Sequence, residues 1–205
     1  MHNRLSFVIA SLLGVLVVAA AIAWLTLPPR VQTAAPVPIG GAFELTDQDG
    51  RRVTEKDLLG RPSAIFFGFT SCPDVCPSTL LELTNWLKML GSDGDKLNTV
   101  FISVDSERDT PEHLKLYLSS FDPHIRGLTG NEAQIRQVAK AYHVYYQRMA
   151  QDDGGYTYDH SARIYLMDKD GQYVGFLTYN EPDDSAVAKL RDLIAGRATA
   201  LHSRQ

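Results

Sequence analysis

Apolar residues recur along this chain in two rhythms. Within residues 78–90 they fall at Leu80, Leu83, Leu87 and Leu90, the spacing of one helix face, and Gly91 follows as a stop. Residues 63–69 and 99–104 are instead short, nearly unbroken apolar runs, the pattern of strands buried on both faces. Residues 43–45 and 52–54 flank Asp47-Gln48-Asp49-Gly50 and read as a hairpin turned on Asp-Gly. Further strands are predicted over 144–149, 162–167 and 173–179, the last two joined by Asp168-Lys169-Asp170-Gly171. Helices are predicted from Asp109-Thr110-Pro111-Glu112, where a polar cap precedes a proline, from Asn131 through Ala141, and over 182–195.

One segment has neither rhythm. Residues 7–27 carry no formal charge, and only Ser11, Gly14 and Thr26 interrupt their apolar character. At about 1.5 Å of rise per residue, such a helix spans a hydrocarbon core of about 30 Å. Trp24 suits the membrane interface, and Arg4 ahead of the run holds the N-terminus inside. The expectation is a cytoplasmic stretch at 1–6, a single-pass transmembrane anchor at 7–27, and everything after it on the extracytoplasmic, periplasmic-type side. The competing reading is a cleaved signal peptide, with Ala19, Ala21 and Ala23 as sites; the run exceeds the ~7–15-residue core of such peptides, which favours the anchor.

Pro28, Pro29, Pro36 and Pro38 mark residues 28–38 as a linker. Residues 39–196 then fit one domain, with a polar tail at 197–205. Strands alternating with helices, followed by a terminal hairpin and helix, predict an α/β fold: a central mixed sheet with helices on both faces. The element order is that of a thioredoxin-like domain. In open α/β sheets function gathers at the C-terminal ends of the strands, where the segment after Phe69 falls.

Composition narrows the classes. With 44% hydrophobic and 21% charged residues, the chain is neither disordered nor fibrous. Its formal charge of −4 becomes more negative once Arg4 and Arg30 are set aside, and no basic stripe exists. Nucleic acid is therefore excluded as an expected partner.

The two cysteines of the chain lie together in Thr70-Ser71-Cys72-Pro73-Asp74-Val75-Cys76-Pro77. The pair follows a buried strand and opens a helix, and Pro77 suits a first helical turn. Free amide donors and the helix dipole predict lowered pKa values for both thiols. A disulfide across so short a loop stabilises little, which argues against a purely structural pair. Two readings stay open. The redox motif beside a βαβ unit is usually C-x-x-C, and one extra residue does not exclude thiol–disulfide chemistry. Two soft thiolates also suit monovalent copper, and an added imidazole makes a Cys₂His set that accommodates divalent copper; zinc in a structural site wants a fourth ligand.

Six histidines are available for that third position. His2 precedes the apolar run and His202 sits in the polar tail. His113 is expected on a solvated helix face, His124 in a loop, and His143 at the start of a strand. His160 lies in Tyr158-Asp159-His160-Ser161, in the loop before the strand at 162–167, which a thioredoxin-like fold brings close to the cysteines. Other candidates read as structural: Met149 and Met167 as core packing, and Tyr142, Tyr145, Tyr146, Tyr156 and Tyr158 as sheet packing or a partner surface. Asp152-Asp153 and Asp183-Asp184 read as solvated loop and helix-start charges.

The motif from Cys72 to Pro77, the stretch from Phe101 to Asp105 with Glu107-Arg108-Asp109-Thr110-Pro111, then Leu128-Thr129-Gly130, and finally Asp159-His160-Ser161 with Tyr165-Leu166 and Asp170-Gly171, together resemble the Sco/SenC proteins. The resemblance covers roughly residues 39–195. It implies a membrane-tethered, thioredoxin-fold metallochaperone that carries one copper, Cu(I) or Cu(II), into cytochrome c oxidase assembly. It implies Cys72, Cys76 and His160 as the metal ligands, with Cys72–Cys76 a disulfide when oxidised. The implied partners are the oxidase subunit bearing the dinuclear copper centre and an upstream copper donor or thiol reductant. The alternative is an enzyme, a thiol–disulfide reductase or peroxiredoxin-like protein acting on the subunit's cysteines. Asp74, Asp159, Arg108 and Asp109 match the family without a role that the sequence supplies.

Overall fold

A computed structural model describes residues 12–19, 22, 24, 38–152 and 154–197. The chain divides into two compact units, Met1–Val37 and Pro38–Gln205. In the first, residues 12–19, 22 and 24 are helical, and among the described residues no helix is long and apolar enough to cross a membrane. The rest of the 7–27 segment and residues 28–37 of the linker lie outside the described residues.

The second unit is built on a seven-stranded mixed sheet. Its strands are β1 Glu44–Asp47, β2 Arg52–Thr54, β3 Ser63–Gly68, β4 Asn98–Ser103, β5 Ile125–Thr129, β8 Ile164–Met167 and β9 Tyr173–Leu177, in the order β2-β1-β5-β4-β3-β8-β9. β3, β4 and β5 run parallel; β1 joins β5, and β8 joins β3, antiparallel. A separate two-stranded hairpin pairs β6 Tyr146–Ala150 with β7 Tyr156–His160. Among the described residues of this unit there are four α-helices: α1 Val75–Leu90, α2 Pro111–Leu118, α3 Glu132–Ala141 and α4 Asp183–Ile194.

Sequence explains why these elements start and stop. All six residues of β3 are buried, as an unbroken apolar run requires of a central strand. α2 begins with Pro111 as its first residue, and the Thr110 hydroxyl accepts from the His113 amide at 3.2 Å. Asn131 and Gln134 cap each other reciprocally at the start of α3. α3 ends in a Schellman motif: the Val144 amide donates to the Ala139 carbonyl at 2.8 Å and the His143 amide to Lys140 at 3.2 Å, with His143 at φ 54°.

Alternation along the strands sorts the core into two faces. Phe66, Gly68, Phe101 and Gly127 share one face, by register, with α1 and α2 upon it. Gly127 leaves room there, since a Cβ would stand 2.5 Å from Leu118 Cδ1. Phe67 points the other way, its ring 5.5 Å from that of Tyr142 at the end of α3 and 5.8 Å from that of Tyr165. Helices thus cover both faces, and the architecture is thioredoxin-like.

Several sequence expectations are corrected. The apolar pattern does not predict β5, because Arg126 and Gly127 break its run. His143 does not begin a strand but closes α3. α1 runs from Val75, so Cys76 and Pro77 occupy its first turn, as the motif predicts, ahead of the apolar spacing at 78–90. β8 begins at Ile164, where antiparallel pairing to Phe66 starts, and β9 stops at Leu177.

Candidate metal centre

The strand-to-helix turn sets the first two donors. The Cys72 amide donates to the Phe69 carbonyl at 3.3 Å, and the Cys76 amide then points at the Cys72 sulfur, 3.5 Å away. Cys76, in the first turn of α1, is fully buried, whereas Cys72 is half-buried at the lip of the sheet. Both are free thiols here. A side chain at Gly68 would displace this arrangement, since its Cβ would meet Cys76 Sγ at 2.6 Å.

The third donor arrives from 84 residues away. His160 is the last residue of β7, not part of a loop, and its Nε2 lies 3.5 Å from Cys76 Sγ. Its ring packs against Phe69 and Phe66, at 5.7 and 6.4 Å between centroids. Nδ1 lies 3.1 Å from the Ser161 carbonyl oxygen. A carbonyl only accepts, so Nδ1 donates to it, and Nε2 is the ring nitrogen turned toward the sulfurs. The donor atoms of Cys72, Cys76 and His160 all lie within 4.8 Å of one another.

The two thiols are not equivalent, which corrects the expectation that both are acidified. The hydrogen bond from the Cys76 thiol, joined by His160 and nearby amides, holds the Cys72 thiol down at about 3, against the opposing effect of burial. That same bond, with burial and the adjacent Cys72 charge, pushes the Cys76 thiol up. Cys72 is thus the more readily ionised sulfur and Cys76 the one that keeps its proton.

Asp109 proves important to the site. It is buried, and its carboxyl group accepts from the Thr70 amide at 2.9 Å, the Thr70 hydroxyl at 2.6 Å and the Ser103 hydroxyl at 2.5 Å. It thereby ties the residues just before Cys72 to the end of β4. Burying so polar a group demands full hydrogen bonding, which it has. An Asp beside a helix cap reads in sequence as a surface capping residue, so its role was hidden.

The remaining candidates do not converge. His113 Nδ1 lies 3.0 Å from the Arg108 carbonyl on an exposed helix, and His124 sits between Asp122 and Asp95. Met167 is buried in the core, while Met149 is 45% exposed on β6. Asp74 and Asp159 are exposed beside the donors. Asp183 receives the Trp86 indole N–H at 2.7 Å and so joins α4 to α1. His2, Asp153 and His202 lie outside the described residues.

The donor set is two soft sulfurs and one imidazole, with no fourth protein ligand among the described residues. It fits copper better than structural zinc, and it leaves room for an incoming ligand.

Comparison with known proteins agrees with this geometry. The SCO1/SenC family model matches residues 31–195. The chain is similar to mitochondrial protein SCO2 of Saccharomyces cerevisiae, at 44% identity over 77% of this chain and 54% of that protein. It is 46% identical to the SCO2-like protein RP587 of Rickettsia prowazekii, over 67% of this chain and 68% of that one. The chain spans about half the length of the first mitochondrial relatives it matches. Its fold superposes on copper-bound ScoI of Bradyrhizobium japonicum with a TM-score of 0.72 at 52% identity, covering 76% of this chain and 99% of that one.

Proposed function

The chain belongs to the SCO1/SenC family, and on that premise we propose that it is a copper carrier for cytochrome c oxidase assembly, holding one copper through Cys72, Cys76 and His160. One observation carries the reading: two sulfurs and an imidazole nitrogen, far apart in sequence, meet within 4.8 Å. Solved structures of similar chains from Bradyrhizobium japonicum and yeast contain copper. Nε2 of His160 is already aimed at the thiols, so little reorganisation precedes binding.

The chemistry follows from the protonation states. Binding through both sulfurs requires loss of the proton held on Cys76, so copper uptake releases a proton and weakens in acid. Cys72 is the more exposed sulfur, and it is the ligand that an incoming cysteine of the receiving subunit reaches first. Transfer then proceeds by ligand exchange. Oxidation of Cys72 and Cys76 to a disulfide removes two ligands together, so loading needs the reduced pair. For the anchor, the uncharged run at 7–27 and the exposed side chains of Leu12, Leu13, Val15, Leu16, Val17 and Val18 support membrane attachment, with the folded domain on the extracytoplasmic side.

A second reading is favoured by the thiol asymmetry itself. A half-exposed thiolate beside a buried thiol is the arrangement for attack on a disulfide followed by resolution. One variant separates the two roles. His160→Ala is expected to weaken copper binding at least about 100-fold, the upper end of what outer-partner losses cost, in competition with a chelator. Exchange with a small disulfide is expected to survive the substitution, since both sulfurs remain. Copper affinity equal to wild type would remove His160 from the site and leave the dithiol reading.

A further inference from the structure

His160 rides on a hairpin that makes no pair with the main sheet, so something other than strand pairing holds it against the thiols. The loop between β4 and α2 supplies the contacts. Asp105 is completely buried; its Oδ1 accepts from the Glu107 and Arg108 amides, both at 3.3 Å, and from the Tyr156 hydroxyl at 3.0 Å. Its Oδ2 accepts from Arg108 Nε. Arg108 in turn donates from Nη1 to the Tyr156 carbonyl at 3.0 Å.

Tyr156 is the first residue of β7, and His160 the last. The Arg108 guanidinium carbon stands 3.8 Å from the Tyr156 ring centroid, and that of Arg148 on β6 stands 3.7 Å from it. One ring face has no room for two groups at that height, so the phenol is held between two guanidiniums. Arg148 also meets Glu107 at 2.8 Å. Tyr156, Tyr158 and His160 share one face of the strand, and Tyr158 and His160 both pack edge-on against Phe69. The same loop ends in Asp109, which grips Thr70 two residues before Cys72.

We infer that the loop from Asp105 to Asp109 is a double clasp: Asp109 fixes the thiol-bearing turn, and Asp105 and Arg108, closing on Tyr156, fix the hairpin so that the imidazole meets the sulfurs. Tyr156, Arg108 and Asp105 are positioning residues that never touch the metal. The inference deepens the copper reading and rests on it for its functional meaning, while its geometric content stands without metal. Partners of this kind change metal affinity about 10–100-fold when removed, because they set ligand orientation rather than ligand identity.

The test compares Tyr156→Leu, which loses ring and hydroxyl, with Tyr156→Phe, which keeps the stacked ring. In reduced, metal-free protein, wild type and Tyr156→Phe are expected to give NMR cross-relaxation between the His160 ring and the Cys76 side chain; Tyr156→Leu is expected to lose it. Copper affinity falls about 10–100-fold in Tyr156→Leu, with loss of the nitrogen signature in the Cu(II) spectrum, and recovers largely in Tyr156→Phe. A folded Tyr156→Leu that keeps the cross-relaxation and the nitrogen signature overturns the clasp. Should Tyr156→Leu not fold, Arg148→Ala on the exposed strand decides: a weaker cross-relaxation upholds the clasp and an unchanged one refutes it. If wild type binds copper without His160 while Tyr156→Leu still loses the cross-relaxation, the copper reading fails and the clasp stands.

Discussion

The two arms of the site are built on opposite principles. The thiol arm is a turn between the wholly buried strand β3 and helix α1, whose inner face carries Leu80, Leu83 and Leu87 into the core. The imidazole arm is a two-stranded hairpin, and four of the five residues of β6 are exposed. The thiol arm cannot open without disturbing the domain, whereas the hairpin is held by a few polar and aromatic contacts. The sulfurs are therefore a fixed base, and the imidazole is the donor whose placement can be tuned or withdrawn.

The largest effect that would break this contrast is expected at Asp109. Asp109→Ala leaves the Thr70 amide, the Thr70 hydroxyl and the Ser103 hydroxyl without their acceptor. The buried Ser103 hydroxyl so orphaned costs about 1–3 kcal/mol and the half-buried Thr70 donors add less each, so a loss of about 2 kcal/mol or more in urea unfolding is expected. A change below about 0.5 kcal/mol, the range of ordinary surface substitutions, would show that the thiol arm is not fixed by this carboxyl group.

A second test reads the thiols directly. A group whose pKa is lowered by folding stays deprotonated as pH falls toward its folded value. The Cys72 thiolate is therefore expected to persist well below the ordinary thiol value of about 8.5 and to vanish only toward about 3. Its contribution to stability is full above the unfolded value and is lost as pH falls through the folded one. Cys76 has the opposite sign: its neutral thiol stabilises below the unfolded value, and that contribution is lost as pH rises. Ultraviolet thiolate absorbance of the reduced, metal-free protein checks this. One thiolate per chain at neutral pH, abolished by Cys72→Ser, is expected; none at neutral pH would remove the asymmetry.

The smallest effect is expected on the outer strand of the hairpin. Met149 is 45% exposed and makes no part of the core, so Met149→Gln should change stability by less than about 0.5 kcal/mol and leave copper affinity unaltered. A tenfold loss of affinity would make the thioether part of the site and blur the division between the two arms.

Much of this organisation was legible in the sequence because it is local. The apolar runs of β3 and β4, the capped starts of α2 and α3, and the placement of Cys72 and Cys76 at a strand-to-helix turn depend on residues a few positions apart. β5 is not legible there because Gly127, a loop-like residue in sequence, is required by Leu118 of the helix packed above it. Nor is β7, because Tyr-Thr-Tyr-Asp-His is too polar for a core strand; it pairs only with β6 and stands outside the main sheet.

By itself the sequence determined most of the secondary elements, their thioredoxin-like alternation and the four-residue spacing of two sulfurs, all properties of short chain segments. The tertiary structure decided what depends on distant segments meeting. It set the imidazole 3.5 Å from Cys76 and ended the equivalence of the two thiols by hydrogen-bonding one to the other and burying the donor. It also turned the loop from Asp105 to Asp109 into the link between both arms. Hydrogen bonds, stacking and desolvation act over a few ångströms, and only the folded chain fixes which distant residues come that close.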